Sequence, residues 1–173
     1  LEKVLPALKP FVKNRLMVLF GCPGERDPSK RIHMAEAVAK YADYIILTSD
    51  NPRREDPIQI IKQALPGLAG ASVPYEVIPD RYTAIEWGLS HAQPGDVLVL
   101  AGSIPASMPD DIYRNILKRL DGKGILIAVD ATGNLLVNVL EYHPFLVKPN
   151  NHELGEIFGV EICEKEDVVT YAK

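Results

Sequence analysis

The sequence contains only two cysteines, and they lie far apart. Cys22 and Cys163 form no Cys-x-x-Cys pair, and neither has a histidine at metal-ligand spacing. This excludes a disulfide framework and the usual zinc motifs, and we expect no metal site. Two unpaired cysteines are typical of a reducing compartment, so the expected location is the cytoplasm.

Long hydrophobic runs and a strong excess of one charge are also missing. No apolar run approaches the roughly 20 residues of a membrane span. The first residues, Leu1-Glu2-Lys3, do not resemble a signal peptide and would suit an excised domain. The 19 basic and 23 acidic residues give a net charge of −4, which provides no general attraction to nucleic acids or acidic membranes. We therefore expect neither as a partner.

The sequence does contain a regular alternation of strand and helix patterns. Short runs rich in Val, Ile and Leu predict buried strands at Leu16–Phe20, Tyr44–Thr48, Tyr75–Ile78, Asp96–Ala101, Ile125–Val129 and Phe145–Lys148. Helical patterns cover Val4–Val12, Pro28–Tyr41, Pro57–Leu65, Tyr82–Ala92, Pro109–Leu120, Thr132–Tyr142 and Glu153–Phe158. This alternation predicts an α/β fold, a doubly wound, mainly parallel sheet of about six strands with helices on both faces, in a Rossmann-like arrangement. The 173 residues are enough for one such domain, with Leu65–Gly70 as a surface loop.

The segment after the first predicted strand reads FGCPGERDPSKR. Gly21 and Gly24 permit a close approach of the backbone to a ligand, while Arg26, Lys30 and Arg31 place cations near a helix N-terminus. In a doubly wound sheet, ligands bind at the carboxyl ends of the strands, so this pattern indicates an anion site. The alternative is a glycine turn followed by an exposed helix with ordinary surface charges.

The segment after the second predicted strand reads TSDNPRRED. Asp50 and Asn51 favour a turn, and Pro52 fixes the bend. The planar guanidinium of Arg53 suits a carboxylate, which it can bind through two parallel hydrogen bonds. A plain turn without a ligand remains the alternative.

Residues 1 to about 102 resemble the C-terminal domain of the Mur ligases, specifically the UDP-N-acetylmuramoyl-tripeptide synthetases. The resemblance rests on FGCPGERDPSKR, TSDNPR and EVIPDRYTAIEWGLSHAQPGDVLVLAG. These enzymes use ATP to join an amino acid, usually meso-diaminopimelate or lysine, to a UDP-muramoyl dipeptide. The resemblance implies that Arg26, Asn51, Arg53 and Gly102 lie at amino-acid-binding positions. Asp50-Asn51-Pro52-Arg53 is the tetrapeptide of the diaminopimelate-adding branch.

The sequence departs from that family after Gly102. The family continues AGKGHE, whose glutamate holds the substrate ammonium, whereas this chain continues with Ser103-Ile104-Pro105-Ala106. Pro23 and Glu25 also replace the commoner glycine and aspartate. No GxxxxGK[ST] phosphate loop occurs in the chain. The resemblance therefore implies carboxylate binding without a complete ligase site.

Residues from about 96 to 173 resemble the central part of a ribokinase-like sugar kinase, nearest to 1-phosphofructokinase or tagatose-6-phosphate kinase. The motifs AGSIP, VDATG and KPNNHEL carry this resemblance. It implies that the loop with Gly102 and Ser103 lies near a sugar and that Asp130 lies at the ligand edge. It also implies that Lys148 and Asn150 line the nucleotide-phosphate approach. The family's Asn-x-x-Glu element, which influences magnesium and phosphate binding, corresponds here to Asn150 and Glu153.

Each kinase-like residue also has a simpler interpretation. Asp130 could cap a helix, Asn150 could belong to a turn, and Glu153 could be an acid in a first helical turn. The family's Gly-Ala-Gly-Asp segment, which holds its catalytic aspartate and anion hole, does not occur in the chain. A complete kinase site is therefore not expected either.

The two partial motif sets predict a protein that is not an enzyme. We expect an engineered, non-catalytic chimera, hence a recombinant protein, that changes family at about residues 96–102 and requires no cofactor, although both parent families use ATP and magnesium. One alternative is a vestigial binding module for an amino-acid carboxylate or a phosphate, with small anions or amino acids as weak partners. Another is a partial ligase or kinase completed by other chains. An open sheet edge could also pair two copies of the chain.

Overall fold

Six parallel strands form one sheet in the computed structural model, which describes residues 1–102, 112–130, 144–148 and 151–171. The strands are β1 (Leu16–Phe20), β2 (Tyr44–Leu47), β3 (Tyr75–Val77), β4 (Val97–Ala101), β5 (Leu126–Asp130) and β6 (Leu146–Val147). Their order across the sheet is β3-β2-β1-β4-β5-β6. The predicted α/β fold with six strands is therefore confirmed.

Helices cover both faces of this sheet. They are α1 (Val4–Leu8), α2 (Ser29–Tyr41), α3 (Pro57–Ala64), α4 (Arg81–His91), α5 (Ile112–Leu120), α6 (Asn151–Phe158) and α7 (Lys165–Tyr171). Local signals explain several boundaries: the Asp56 carboxylate accepts a hydrogen bond from the Ile58 N–H at the start of α3, and Asp80 does the same for Thr83 in α4. The predicted helix at residues 132–142 lies outside the described residues.

The segment predicted as a surface loop, Leu65–Gly70, is different in the structure. Leu65–Leu68 form a 3-10 helix, and Gly67 and Leu68 are buried. A Cβ atom at Gly67 would lie 2.4 Å from the carbonyl oxygen of Ile32 in α2. A Pro-Gly pair predicts an exposed turn, but here the glycine allows the segment to pack directly against a helix.

Strand β4 lies between the two parts of the sequence. It pairs with β1 on one side, where Leu16 is opposite Val97, and with β5 on the other, where Ala101 is opposite Asp130. All five residues of β4 are buried. The strand is thus central in the sheet, and its side chains extend into the core on both faces.

The core has two layers, one on each face. The first layer packs α1, α2 and α3 on the sheet, mainly with residues that precede β4. The second layer packs α4 and α5 and contains Ile85, Ile116 and Ile127 in one continuous cluster. Because Ile85 precedes β4 while Ile116 and Ile127 follow it, the two parts of the chain share this layer.

A polar network fixes the amino-terminal end of β4. The Asp96 carboxylate is fully buried and accepts hydrogen bonds from the backbone N–H groups of Arg15 and Gln93, from the Asn14 amide and from the Arg15 guanidinium. The Arg15 to Asp96 distance is 2.7 Å, and this hydrogen bond raises the pKa of Arg15. The network ties the start of β1 to the start of β4.

Across the described part of the chain, no helix has the length and apolar character needed to span a membrane.

Candidate functional site

A cavity of about 440 Å³ lies at the carboxyl ends of β1, β2 and β4. Its lining residues are Leu1, Gly21, Pro23, Arg26, Met34, Asp50, Asn51, Arg53, Ala101 and Gly102. Four of them, Arg26, Asn51, Arg53 and Gly102, are the residues that the first resemblance places at an amino-acid site. The structure therefore brings these four together, at the edge where a parallel sheet binds its ligands.

Two loops with closely packed backbones form one side of the cavity. The Gly24 N–H donates a hydrogen bond to the Asn51 carbonyl oxygen at 2.9 Å. A Cβ atom at Gly24 would lie 1.9 Å from the carbonyl oxygen of Pro52, and one at Gly21 would lie 2.7 Å from that of Thr48. Only glycine fits at these positions, because the obstructing atoms belong to the backbone.

The turn after β2 is held by its own side chains. The Asp50 carboxylate accepts a hydrogen bond from the Asn51 N–H at 2.6 Å, and the Asn51 side-chain oxygen accepts one from the Arg53 N–H at 3.1 Å. Arg53 adopts a left-handed backbone conformation with φ = 52°, which is uncommon for a residue other than glycine. This turn places the exposed Arg53 side chain at the cavity, and such strain is common at binding sites.

Behind the cavity lies a buried arginine at the start of α4. The Arg81 guanidinium donates hydrogen bonds to the carbonyl oxygens of Ser49 at 3.1 Å and Ala101 at 3.0 Å. It therefore joins the end of β2 to the end of β4. A Cβ atom at Gly102 would lie 2.7 Å from Asp50 Oδ2 and 3.3 Å from the Arg81 guanidinium, so Arg81 lies close to two residues of the cavity lining.

A second buried arginine supports the loop after β1. Arg31, which is 2% exposed, donates to the Glu55 carboxylate at 2.8 Å, and the Glu25 N–H donates to the same oxygen. These two hydrogen bonds lower the pKa of Glu55. The Glu25 carboxylate lies 3.8 Å from the guanidinium of Arg53 and 3.8 Å from that of Arg54. Contacts therefore run from Arg31 through Glu55 to the backbone of Glu25, and from the Glu25 side chain to Arg53.

The charges at the cavity suit a carboxylate group. Arg26 and Arg53 are exposed cations on its lining, and Asp50 is a buried anion behind them. Cys22 lies between two of the lining residues in sequence, but burial raises its pKa to about 11. The thiol is therefore protonated at neutral pH and does not supply a nucleophile.

The kinase-like residues are only partly described. Asp130 is the last residue of β5, and Glu153 is the third residue of α6, but the side chains of both lie outside the described set, as do the whole of Ser103 and Asn150. Lys148 follows β6 and is exposed, and its N–H donates to the Val129 carbonyl oxygen at 3.3 Å. Asp130 and Lys148 thus share the carboxyl edge of the sheet with the cavity, since the strands are parallel.

Metal ligands do not gather in the part of the chain that the structure describes. No group of three or more His, Cys, Asp or Glu side chains there is placed to hold a metal ion.

Sequence reasoning did not select Arg81, Asp50 or Glu25 as residues of the site. A signal for Arg81 is present, because an arginine in the first turn of a helix opposes the helix dipole and suggests another partner. The sequence indicates Asp50 as a turn former and as the first residue of the Asp-Asn-Pro-Arg tetrapeptide, but not as a residue of the site. The contact between Glu25 and Arg53 depends on the packing of two loops that are far apart in sequence, so no local pattern indicates it.

Two family models match the chain. The model for the Mur ligase, glutamate ligase domain matches residues 1–104, and the model for the pfkB family of carbohydrate kinases matches residues 77–173. The matches overlap at residues 77–104, which include α4 and β4. Both resemblances predicted from the sequence are confirmed.

Curated relatives match the first part of the chain. UDP-N-acetylmuramoyl-L-alanyl-D-glutamate--2,6-diaminopimelate ligases from Caldanaerobacter subterraneus and Synechococcus elongatus are each 48% identical over 102 residues, which is 59% of this chain. The ligase from Geobacillus thermodenitrificans is 44% identical over 101 residues. The chain spans about a fifth of the length of these relatives, 20 to 21%.

Solved structures match both parts. A 2,6-diaminopimelate ligase of the same name superposes with a TM-score of 0.53 and 43% identity, covering 59% of this chain and 21% of that chain. Phosphofructokinase-2 from Escherichia coli in complex with substrates and products superposes with a TM-score of 0.66 and 16% identity, covering 92% of this chain and 68% of that chain. At this low identity, the second match shows a shared fold only.

The two families meet within one sheet, since β1 and β2 lie only in the first match, β6 lies only in the second, and β4 lies in both. Through residues 1–104 the chain belongs to the Mur ligase, glutamate ligase domain family, and through residues 77–173 it belongs to the pfkB family of carbohydrate kinases.

Proposed function

We propose that this chain is an engineered, non-catalytic chimera that retains weak binding of an amino-acid carboxylate. The observation that supports this most directly is the shared cavity of Arg26, Asn51, Arg53 and Gly102. A guanidinium binds a carboxylate through parallel charge-assisted hydrogen bonds, and the adjoining glycine backbone leaves room for the ligand. The names of the curated relatives identify 2,6-diaminopimelate as the amino acid to test first.

The absence of catalysis is inferred from the sequence that follows the cavity. Ser103-Ile104-Pro105-Ala106 stand where the ligase family has Lys-Gly-His-Glu, so this chain has no glutamate there for the substrate ammonium. Phosphoryl transfer depends on positioning and charge stabilisation, which an incomplete site does not supply. We also propose that the chain needs neither ATP nor magnesium to fold or to bind its ligand.

The engineered origin is inferred from where the families meet. Natural fusions normally join whole domains through exposed linkers, whereas the overlap here contains the fully buried strand β4. The two free cysteines also fit our proposal that the parent proteins of the two families are located in the reducing cytoplasm. A natural gene that encodes both parts in one reading frame would contradict the engineered origin.

Calorimetric titration with meso-diaminopimelate tests the binding proposal. We expect a dissociation constant near 1 mM, which is only about 4 kcal/mol of binding free energy. Arg53→Ala is expected to weaken this binding at least ten-fold, because it removes a charged hydrogen-bonding group. Arg54→Ala is the matched control, since it removes the same charge from the next residue, whose side chain is 94% exposed and is not part of the cavity lining.

Equal loss in the two arginine variants would contradict a specific site and leave only general charge attraction. Product formation from ATP with a UDP-muramoyl dipeptide and diaminopimelate, or from ATP with a sugar phosphate, would contradict the absence of catalysis. Both assays use the intact chain and are followed by mass spectrometry of the products.

A second copy of the chain is the partner that we propose for the open edge at β3. All three residues of this strand are exposed, and β3 pairs only with β2 within the sheet. An exposed edge strand can pair with another edge strand through its backbone. Light scattering over a range of concentrations tests this: Val77→Pro should remove any dimer, and a monomer at all concentrations would contradict the proposal.

A further inference from the structure

Glu25 lies beside the cavity but is not part of its lining. One oxygen of its carboxylate is 3.8 Å from the Arg53 guanidinium, and the other is 3.8 Å from that of Arg54. The side chains of Glu25 and Arg53 are each 42% exposed. Arg53 therefore lines the cavity, while the Glu25 carboxylate approaches the Arg53 guanidinium from a position outside the lining.

Backbone contacts hold Glu25 in its position beside Arg53. Its φ angle is 54°, so both members of the pair, Glu25 and Arg53, have left-handed backbones. The hydrogen bond from the Glu25 N–H to Glu55, which the buried Arg31 holds, fixes one loop. The contact of Gly24 with Pro52 fixes the other loop against it.

The contact between Glu25 and Arg53 acts through charge. At 3.8 Å the two groups are too far apart for a hydrogen bond, so the carboxylate does not fix the orientation of the guanidinium. The negative charge of the carboxylate does lower the positive potential that a ligand meets at Arg53, because it lies close enough to offset part of the charge of the guanidinium. A ligand carboxylate can therefore still accept hydrogen bonds from Arg53, but it meets a weaker positive charge there.

We propose that Glu25 is a specificity-determining residue that makes this cavity favour zwitterionic amino acids over plain dicarboxylates. The proposal rests on the proposed carboxylate site. Asp50 lies beside the buried Arg81 at Gly102, so Glu25 is the carboxylate that offsets part of the positive charge of Arg26 and Arg53 on the lining. A ligand with no net charge loses little from this balance, whereas a dianion loses the attraction of an excess positive charge.

The test compares meso-diaminopimelate with pimelate, which has the same carbon chain and carboxylates but no ammonium groups. Each ligand is titrated by calorimetry into the intact chain and into Glu25→Gln, Glu25→Asp and Glu166→Gln. Glu25→Asp keeps the charge, and Glu166→Gln removes the same charge from an exposed residue of α7. Thermal unfolding of each variant confirms that it is folded before titration.

We expect Glu25→Gln to tighten pimelate binding about two- to five-fold, the range for an exposed ion pair, and to change diaminopimelate binding less than two-fold. Glu25→Asp and Glu166→Gln should keep the preference of the unsubstituted chain for diaminopimelate over pimelate. The gain for pimelate should decrease in 1 M salt, where the Debye length is about 3 Å. Weaker binding of both ligands to Glu25→Gln would indicate that Glu25 orients Arg53, and an unchanged ratio of the two affinities would also overturn the proposal.

These outcomes separate the inference from the proposed function. If Arg53→Ala loses diaminopimelate while Glu25→Gln leaves the ratio unchanged, the site exists and the role of Glu25 is wrong. If the unsubstituted chain binds neither ligand but Glu25→Gln binds pimelate, the role of Glu25 is supported and the proposed function fails. If no variant binds either ligand, both are overturned.

Discussion

The residues before and after the end of β4 are held in the molecule by different kinds of contact. Among the described side chains, the buried polar and charged ones are Arg31, Thr48, Asp50, Arg81 and Asp96, and all of them precede Gly102. Among its described side chains, the later region contributes only apolar buried ones, such as Ile116, Ile127 and Leu154. Polar contacts are directional and shape a site, whereas apolar packing depends mainly on volume. This explains how the later region can come from another family while the cavity beside it keeps its geometry.

The largest expected effect is at Asp96, in the polar region. Asp96→Ala should lower the free energy of unfolding by about 3–5 kcal/mol, because it leaves Arg15 and several N–H donors without their acceptor. Chemical denaturation followed by circular dichroism measures this change. Lys9→Ala removes an exposed partner of Asp43, with both side chains 40% exposed, and should change stability by less than about 1 kcal/mol. Equal losses in the two variants would remove the proposed distinction between buried and exposed charges.

The next effect tests whether the two regions unfold together. Ile85→Ala and Ile127→Ala remove buried groups from the same core layer, one on each side of β4, and each should cost about 2–4 kcal/mol. Because the layer is continuous, both variants should shift one common transition. Denaturation followed separately by far-ultraviolet circular dichroism and by Trp87 fluorescence checks this. Two separate transitions in Ile127→Ala would show that the later region unfolds independently.

A smaller effect is expected in the interlocked loops. Gly24→Ala should lower stability by about 1–3 kcal/mol, because its Cβ would overlap the Pro52 carbonyl oxygen and push the two loops apart. It should also weaken diaminopimelate binding. Gly70→Ala is the control, since a Cβ there meets nothing within 4 Å, and its stability should stay the same or rise slightly. Thermal unfolding and titration of both variants measure the difference, and unchanged binding by Gly24→Ala would disprove the role of the loop contact.

The smallest effect concerns thiol chemistry and leaves the fold intact. Cys163 is exposed and should react with an aromatic disulfide reagent at pH 8, whereas the buried Cys22 should not react until the protein unfolds. Because burial raises the pKa of Cys22 to about 11, the contribution of the protonated thiol to stability is complete below the pKa of an unfolded cysteine, near 9, and declines as the pH rises towards 11. Counting thiols by absorbance in the chain and in Cys163→Ser checks the reactivities, and chemical denaturation at a series of pH values checks the pH dependence. Rapid reaction of Cys163→Ser would show that Cys22 is accessible.

The sequence predicted most of the fold because the strand signals are strong. β1 has the predicted bounds, and the other described strands differ by one or two residues at their ends. The error at Leu65–Gly70 has a physical cause, since proline and glycine indicate a bend but not whether the bend is buried. The convergence of Arg26, Asn51, Arg53 and Gly102 also followed from the sequence, because parallel strands bring their carboxyl ends to one edge.

The remaining features of the site depend on contacts between distant residues. Arg81 reaches Ser49 and Ala101 only because α4 begins behind the ends of β2 and β4. Glu25 reaches Arg53 only because two glycines let the loops touch. Such pairings depend on tertiary packing, which single-sequence patterns do not encode. The predicted roles of Ser103 and Asn150 lie outside the described residues and stay predictions.

The central place of β4 has a consequence for how proteins of this type can be recombined. A parallel strand binds its neighbours through amide and carbonyl groups that are the same for every residue except proline, so the ladder does not depend on which gene encodes the strand. The direction of the strand is kept as well, so every loop that follows a strand still emerges at the same rim of the sheet. A cut at an inner strand therefore exchanges the identity of the loops while conserving the place where they meet. Libraries built on such cuts would sample new binding sites at a constant position.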